Sequence, residues 1–293
     1  MSNEINRATG LLIIEVINSN PNGDPDRESD PRQRPDGRGE ISPVSFKRKL
    51  RDLIEDNNGP VWTHLAKELK LNPVEKPEGN DLGFSILESR GRDRKLIEGE
   101  LKNGASTFTN KYWDGRIFGN TFLEEAMDKG TIKTGVVQFG LGLSVAPIEI
   151  ERHTNTNKAG VQEGKNQGMA PMGYRFVPHG VYWMPFFVNP SMAHKSGCKA
   201  VDIELLKKLI PHAYAHTRSH ARPFVELRHA WYCEHSNPLG SCSDFALIDA
   251  LKPKLKKDRD SNKSSKSWDD YDVPMTLPSE LAGKVTCVDL IVN

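Results

Sequence analysis

The pattern of apolar and polar residues near the start of the 293-residue chain predicts a strand followed by a helix. Residues 11–16 form a nearly continuous apolar run with β-branched members, which is typical of a strand covered on both faces. A helix is predicted to begin after Ser42, because serine is a favourable N-cap and Pro43 suits the first helical position. Four apolar residues would share one face of this helix and pack on the sheet: Phe46, Leu50, Leu53 and Ile54.

Further periodic segments predict other elements of the fold. A second amphipathic helix is expected over residues 202–217 with a break at Pro211. Asp114 is expected to cap a helix that runs to about Met127, whereas residues 84–100 are not assigned. Strands are expected at residues 9–18, 135–150, 175–188, 224–233 and 285–292.

The order strand, helix, strands, helix, strands predicts an α+β fold, a ferredoxin-like or RRM-like antiparallel sheet with helices that is enlarged by insertions. Residues 1–293 are expected to form this single domain, with insertions at residues 58–111 and 151–173. The second insertion is polar, contains several glycines and is too poor in apolar residues to become ordered by itself. Its return carries Met169 and Met172, which are bulky and adaptable apolar side chains.

The charge of the chain is nearly balanced, with a formal net charge of +1 and a sequence pI of about 7.7. A nucleic-acid-binding domain is usually strongly basic, so binding of nucleic acid would require segregated charges. Residues 32–51 do carry seven Lys or Arg residues against only Asp36 and Glu40. Acidic clusters lie elsewhere, at residues 98–100, 124–128 and 269–272. They would be available to meet basic faces of neighbouring copies.

The turn Asn-Pro-Asn-Gly-Asp-Pro-Asp at residues 20–26 connects the first strand to the basic helix. Lys47, Arg48 and Arg51 of that helix are expected to point together away from the core. Together with the free N–H groups of the helix N-terminus they would face one anion, for which the phosphates of a polyanion are suited. The alternative interpretation is a basic helix face that is only solvated.

Metal sites and redox chemistry are not favoured by the sequence. A calcium loop at residues 20–31 is rejected, because its glycine and its last residue do not fit the EF-hand pattern. Two groups have incomplete metal-ligand patterns: His212, His216 and His220, and Cys233, His235 and Cys242. We expect no metal and no cofactor. The four cysteines form no close pair and no apolar stretch is long enough to span a membrane, which predicts reduced thiols in a cytoplasmic protein without membrane association.

Four large aromatic residues occur close together in the strand region at residues 175–188. They are Tyr182, Trp183, Phe186 and Phe187. Aromatic side chains of an RNA-binding sheet can stack on bases. Packing in the core is the favoured interpretation, because soluble domains rarely expose four such large rings together.

Several segments together resemble the repeated backbone subunit of type I CRISPR Cascade complexes, most closely its I-C or I-B branch. These segments are residues 20–26, the Lys-Arg-Lys-Leu-Arg sequence at 47–51, and residues 112–119, 135–150, 175–188 and 217–222. The resemblance implies a non-catalytic scaffold with an RRM-like palm, in which residues 151–173 form a thumb that crosses the guide RNA. Its partners would be CRISPR RNA, other copies of itself, other Cascade subunits and, through the guide, target DNA. One departure from the family pattern is the dense charge of residues 28–35.

The basic segments and the resemblance together nominate residues for contact with RNA. They are Asn20, Asn22, Gly23, Asp24, Arg32, Arg34, Ser42, Ser45, Lys47, Arg48, Lys49, Arg51, Arg116, Arg152, Met169, Met172, Arg218 and Arg222. The alternative for Arg116 is an internal salt bridge, and the alternative for the second insertion is an ordinary disordered surface loop. The alternative function is a metal-dependent ribonuclease on a related RRM-like fold, as in type III backbone subunits, with Asp24, Asp26 and Asp30 as candidate magnesium ligands. A plain protein-interaction module is the third hypothesis.

Overall fold

The computed structural model describes residues 4–71, 82–91, 95, 97, 99, 109–119, 134–157 and 170–291, and for residues 155–157 and 170–172 it describes the backbone alone. The strands are β1 (Ala8–Ser19), β2 (Arg38–Ile41), β3 (Val137–Phe139), β4 (Gly142–Pro147), β5 (Glu151–Asn157), β6 (Ala170–Val188), β7 (Phe224–His235), β8 (Lys254–Leu255), β9 (Tyr271–Asp272) and β10 (Val285–Asp289). The α-helices with defined bounds are α1 (Pro43–Glu55), α2 (Pro60–Glu68), α3 (Trp113–Phe118), α4 (Ala193–Ser196), α5 (Ala200–Leu209), α6 (Asp244–Leu251) and α7 (Ser279–Ala282). None of the helices in this described part of the chain has the length and apolar content that crossing a bilayer would need.

The main sheet is antiparallel, with the strand order β10-β7-β1-β6-β4-β2. β3 and β5 also pair with β6, each along a different part of that long strand. The four central strands of the main sheet occur along the chain in the order β1, β4, β6 and β7. In the sheet they lie in the order β7-β1-β6-β4. Helix α1 lies in the connection from β1 to β4, and α5 lies in the connection from β6 to β7. This is the ferredoxin-like arrangement. The predicted α+β class and antiparallel sheet are therefore confirmed.

β1 lies at the centre of the sheet and is buried on both faces, as its unbroken apolar run predicted. Leu12 and Ile14 belong to the core that contains residues of α1 and α5. Leu11 and Ile13 point to the opposite face, where they belong to a second apolar cluster with residues of α6. Because α6 and the following segment pack on this second face, the centre of the sheet is not an open platform on which bases could stack.

The aromatic residues of β6 are part of these two cores. Tyr182 and Phe186 are buried on the α1 side, while Trp183 and Phe187 are partly buried on the α6 side. The expectation of core packing is confirmed. Phe186 also explains why β1 has a glycine at position 10, since a Cβ there would collide with the Phe186 ring.

The first helix has the predicted start and the predicted apolar face. Ser42 is the N-cap, and its Oγ accepts a hydrogen bond from the Ser45 N–H at 3.2 Å. Pro43 is the first helical residue. The four apolar residues assigned to the inner face are buried: Phe46, Leu50, Leu53 and Ile54.

Other segments differ in detail from the prediction. Residues 135–150 form two strands, β3 and β4, which both pair antiparallel with β6. The register shifts by one residue between them, beside Gly140, whose N–H donates to the Pro185 carbonyl at 2.8 Å. α5 ends at Leu209 and a 3-10 turn follows, so the predicted break at Pro211 is confirmed. The expected cap of α3 is wrong, since Tyr112 and not Asp114 is its N-cap. The extension of this helix to Met127 lies outside the described residues, and the two insertion boundaries stay predictions.

The expectation of four reduced thiols is wrong for two of them. Cys233 of β7 and Cys287 of β10 are opposite each other in the strand register and are joined by a disulfide. Cys198 and Cys242 are free thiols. The two cysteines are 54 residues apart in the sequence, and only the pairing of β7 with β10 brings them together. The disulfide therefore could not be predicted from the spacing of the cysteines.

Candidate nucleic-acid interface

The turn after β1 is tied to the start of α1 and to the residues before β7. The Oδ1 of Asn22 accepts a hydrogen bond from the Ser42 N–H at 2.7 Å. The N–H of Asn20 donates to the Ala221 carbonyl at 2.8 Å, and its side-chain amide donates to the Ser29 carbonyl, also at 2.8 Å. Both asparagine side chains are buried. Both side chains therefore brace the turn within the protein, and their contact with RNA stays a prediction.

Gly23 and Asp24 shape the same turn. Gly23 forms an isolated β-bridge with Pro31. Asp24 caps the 3-10 turn Pro25–Arg27, and its Oδ1 accepts a hydrogen bond from the Asp26 N–H at 3.2 Å. Asp24 thus has a structural role in the turn, and contact of Gly23 and Asp24 with RNA stays a prediction.

Two of the basic residues that were expected to point outward on α1 are neutralised inside the protein. Arg51 is buried, with its Nε 2.8 Å from Asp114 Oδ2 and its Nη2 2.9 Å from Glu88 Oε2. Arg48 donates to the Glu88 carbonyl at 2.6 Å and forms an ion pair with Asp52 at 2.6 Å. The expected common outward face is therefore wrong, because carboxylates of the protein already bind both guanidinium groups.

Lys47 and Lys49 have no carboxylate within ion-pair distance in the described part of the chain. The Nζ of Lys47 lies 5.0 Å from the ring centre of Phe118, and that of Lys49 lies 5.1 Å from the ring centre of Tyr214. Two residues correspond to about 200° of helix rotation, which places these lysines on opposite flanks of α1. Burial, and secondly the charge of Arg222, lowers the pKa of Lys49 to about 8. Burial also lowers the pKa of Lys47.

Unpaired cations gather beside the first turns of α1. Arg222 lies close enough to Lys49 to disfavour its charged form. The Nε atoms of Arg222 and Arg32 are buried and have no hydrogen-bond partner among the described residues. We refer to Lys49 and Arg222 as the α1 cation cluster. Buried donors are usually satisfied, so an anionic acceptor from outside the chain would complete this cluster.

Arg34 and Arg218 are exposed residues at the margin of this region. Arg34 is 3.7 Å from Glu40, an exposed ion pair that contributes little. Arg218 precedes the bridge between Ser219 and Arg222 and has no ion pair in the part of the chain that the structure describes. Contact of these two arginines with RNA stays a prediction.

Arg116 is enclosed in the protein, with 0% of its surface exposed. Its Nε and Nη2 donate to the two carboxylate oxygens of Asp202 at 3.0 and 2.8 Å. Its remaining N–H groups donate to the carbonyls of Gly83, Thr109 and Asn110, at distances of 3.0, 3.1 and 2.6 Å. The predicted contact with RNA is wrong, and the alternative of an internal salt bridge is confirmed.

The second insertion begins and ends as an antiparallel pair of strands. β5 pairs with the first part of β6 from Glu151 opposite Phe176 to Asn157 opposite Ala170. Residues 158–169, which include Met169, lie outside the described residues, and the side chain of Met172 is not described. Contact of these methionines with RNA therefore stays a prediction.

At the base of this hairpin, arginines of both strands bind the loop that precedes β2. Arg152 and Arg175 are directly opposite each other in the β5–β6 register. Arg152 forms an ion pair with Asp30, and Arg175 forms one with Glu28 and lies 3.4 Å from Asp30. The hydrogen bond from Arg152 lowers the pKa of Asp30 in spite of its burial. Sequence reasoning nominated Arg152 but missed Arg175.

An exposed aromatic residue close to the α1 cation cluster was also missed. Phe224, the first residue of β7, is 62% exposed, and its neighbour across the strand pair, Ile17, is 41% exposed. The N–H of Phe224 donates to Ser19 Oγ at 3.0 Å, which fixes it beside the turn that holds Arg222. The alternation of β7 contained the signal, because inward Val225 places Phe224 on the outer, polar side of the strand.

Among the described residues, no group of three or more His, Cys, Asp or Glu side chains is arranged to hold a metal ion. His212 and His216 are neighbours, with ring centres 5.4 Å apart. His235 binds Ser241 and lies near Asp244. The candidate interface thus presents positive charge at Lys49 and Arg222 and an exposed apolar surface at Phe224 and Ile17.

A sequence model of one family matches residues 6–276, which is most of the chain, and its description is "CRISPR-associated protein Cas7". This chain belongs to the Cas7 family. A curated Cas7 relative, "CRISPR-associated protein Cas7" of Haloferax volcanii, is 27% identical over 225 residues, which are 70% of this chain and 63% of the relative. The chain thus spans somewhat less than two thirds of the length of that relative.

Three solved structures are similar to this Cas7 chain over 78% of its length. One is described as "CRISPR RNA-guided surveillance complex, pre-nicking", with 14% identity, 78% of its own chain covered and a TM-score of 0.48. A second, "CRISPR RNA-guided surveillance complex", has 15% identity, 69% coverage and a TM-score of 0.44. The third is a type III-B Cmr-beta complex bound to cognate target RNA, with 12% identity, 61% coverage and a TM-score of 0.43. Membership of the Cas7 family rests on the sequence match.

Proposed function

We propose that this chain is the CRISPR RNA-binding backbone subunit of a type I Cascade surveillance complex, of the I-C or I-B branch, and that several copies line up along one guide. The observation that carries the proposal is the α1 cation cluster in a chain of the Cas7 family. The preference for type I comes from the sequence segments that resemble Cascade backbone subunits.

A phosphate backbone fits the α1 cation cluster better than other anions do. A buried ammonium group without a counter-charge is disfavoured, which is why burial lowers the pKa of Lys49. A phosphate placed between Lys49 and Arg222 would supply this charge, and its oxygens would accept the hydrogen bonds that the buried guanidinium N–H groups lack. Contacts of this kind position a nucleic acid without reading its sequence.

The neighbouring surface suits the bases of the same strand. Phe224 and Ile17 form an exposed apolar surface next to the turn that carries Arg222. Stacking of a base on an aromatic ring tolerates any sequence, as a guide-binding protein requires. Tyr174, in the part of β6 that pairs with β5, packs against His220 shortly before β7, with ring centres 4.6 Å apart. The hairpin of β5 and β6 would cross the RNA as a thumb. Base pairing with the guide, and not the protein, would then identify the target DNA.

The proposed role requires neighbouring copies and further Cascade subunits as partners. Near-neutral net charge with separated basic and acidic clusters favours head-to-tail contact between unlike surfaces, which generates an open filament. The subunit would act without catalysis, in the cytoplasm. Asp24 and Asp30, two of the carboxylates considered as magnesium ligands, are engaged by a backbone N–H and by arginines in this structure.

The deciding experiment is native mass spectrometry of the purified chain with guide RNAs of increasing length. We expect the number of bound copies to rise in steps with RNA length, because each copy occupies a fixed number of nucleotides. The matched control is the double variant Lys49→Met with Arg222→Met, which should bind few or no copies. A single copy at every RNA length would contradict the backbone role and leave a generic RNA-binding domain. Magnesium-dependent cleavage of a complementary RNA in the same samples would instead favour the ribonuclease alternative.

A further inference from the structure

The loop between β1 and β2 and the base of the β5–β6 hairpin are joined by two arginines and two carboxylates. Arg152 Nε lies 3.3 Å from Asp30 Oδ1, and a second guanidinium nitrogen of Arg152 binds Asp30 Oδ2. Arg175 donates to both the carboxylate and the backbone carbonyl of Glu28, and its Nε lies 3.4 Å from Asp30. Asp30 is thus shared by both arginines, whereas Glu28 binds Arg175 alone.

The two carboxylates differ in their surroundings. The side chain of Asp30 is only 10% exposed, while that of Glu28 is 83% exposed. Glu28 and the following Ser29 also have positive φ angles of 50° and 68°, which are uncommon for residues with a side chain. The backbone is therefore held in a disfavoured conformation that presents Glu28 to Arg175. An exposed ion pair contributes little stability, so a competing anion can replace the Glu28 carboxylate at small cost.

We propose that Arg175, together with Arg152, forms a second phosphate site at the base of the hairpin, which the Glu28 carboxylate fills until a nucleic-acid phosphate displaces it. This inference rests on the proposed function, since it names a further contact of the same RNA. Asp30 is the fixed part of the site: it stays bound to Arg152 and keeps the guanidinium of Arg175 in place. Glu28 is the exchangeable part.

The chemistry of the exchange is a replacement of one oxyanion by another. Arg175 binds the Glu28 carboxylate through Nη2, while its Nη1 donates to the Glu28 carbonyl and its Nε lies near Asp30, so a phosphate oxygen would replace the carboxylate at Nη2. Arg175 therefore keeps its position when the phosphate arrives, and only the exposed Glu28 side chain moves into solvent. Glu28 would hold the Arg175 guanidinium in position until RNA binds. It would also keep weakly binding anions out of the site.

The test measures affinity for a guide-length RNA in four variants of the full chain. Glu28→Gln keeps the size of the side chain but removes its charge, so we expect RNA to bind about two- to fivefold more tightly at low salt. The gain should disappear at high salt, because salt screens the exposed pair that it depends on. Arg175→Ala should weaken binding by roughly tenfold, since one charge-assisted phosphate contact is lost. The double variant, with both changes, should bind as Arg175→Ala does.

The matched control is Asp26→Asn, which makes the same change of charge at an exposed carboxylate of the same loop that has no ion pair among the described residues. An equal gain in Asp26→Asn and Glu28→Gln would overturn the inference, because it would reflect net charge alone. A gain from Glu28→Gln that persists in the Arg175→Ala background would overturn it as well. Failure of the unmodified chain to bind RNA would instead contradict the proposed function, and this inference with it.

Discussion

Arg116 and Asp202 form a bidentate ion pair that is closed off from solvent, with neither side chain exposed. The pair joins α3 to the start of α5, where Asp202 also accepts a hydrogen bond from the Lys199 N–H at 2.9 Å. A buried charge is tolerated only while its partner is present. Arg116 thus serves the packing of the fold and not contact with RNA.

Removal of one partner of this pair should strongly destabilise the protein. We expect Asp202→Asn to lower the free energy of unfolding by about 3–5 kcal/mol, because it leaves the Arg116 guanidinium buried without a counter-charge. Urea denaturation measures the change. The control is Lys208→Met, whose exposed ion pair with Glu68 should contribute at most about 1 kcal/mol. A loss below about 1 kcal/mol for Asp202→Asn would show that the ion pair contributes little to the packing of α3 against α5.

RNA affinity should depend on Lys49 and not on Arg48, although both lie on α1. Lys49→Met keeps the length of the buried side chain and removes the unpaired charge, so RNA should bind roughly tenfold more weakly. The slope of log affinity against log salt concentration should also become shallower by about 0.7, since one counterion fewer is released from a single strand. Arg48→Met is the control, because Asp52 and Glu55 already neutralise that residue. Equal effects of the two changes would place the RNA on the outer face of the helix.

The lowered pKa of Lys49 gives RNA binding a dependence on pH. The ammonium form, which attracts phosphate, predominates below about pH 8 and is lost as the pH rises through that value. RNA affinity should therefore fall between pH 7 and 9 in a titration followed by fluorescence anisotropy. Lys49→Arg keeps its charge over this range and should show a flatter profile. The same steep decline in Lys49→Arg would assign the titration to another group.

The same pKa also predicts how stability changes with pH. In the unfolded chain Lys49 keeps its proton up to about its ordinary pKa of 10.5, whereas the folded chain releases it near 8. The unfolded state therefore binds more protons between these values, and the contribution of Lys49 makes the fold more stable as the pH rises through this window.

The strand and helix at the start of the chain could be predicted because their signals are local. The apolar run of β1, the Ser42 cap and the inner face of α1 each follow from a few neighbouring residues. The ion pair of Arg48 with Asp52 also has a local signal in the sequence, since the two residues are four apart on one helix. Helical geometry alone likewise separates Lys47 from Lys49.

The partners of the buried arginines could not be predicted, because they come from distant parts of the chain. Arg51 meets Asp114 across 63 residues, and Arg116 meets Asp202 across 86. Only the paired sheet and the packed helices bring these groups together. A reversal of Lys47, Arg48 and Arg51 to Glu, which the sequence alone suggests as a test of RNA binding, would therefore damage the fold through Arg51.

Phe224 should contribute to RNA binding through stacking and not through stability. Its ring is 62% exposed, so Phe224→Ala should leave the melting temperature almost unchanged. Loss of a base-stacking surface should weaken RNA binding by about 1–3 kcal/mol, with little change in the salt dependence, because no phosphate contact is lost. Phe245→Ala is the matched control, since that ring is 79% exposed but lies on α6, on the side of the sheet away from α1. If both alanine variants bind RNA as the unmodified chain does, the bases do not lie on β7, and the exposed Phe224 is instead a surface for a protein neighbour.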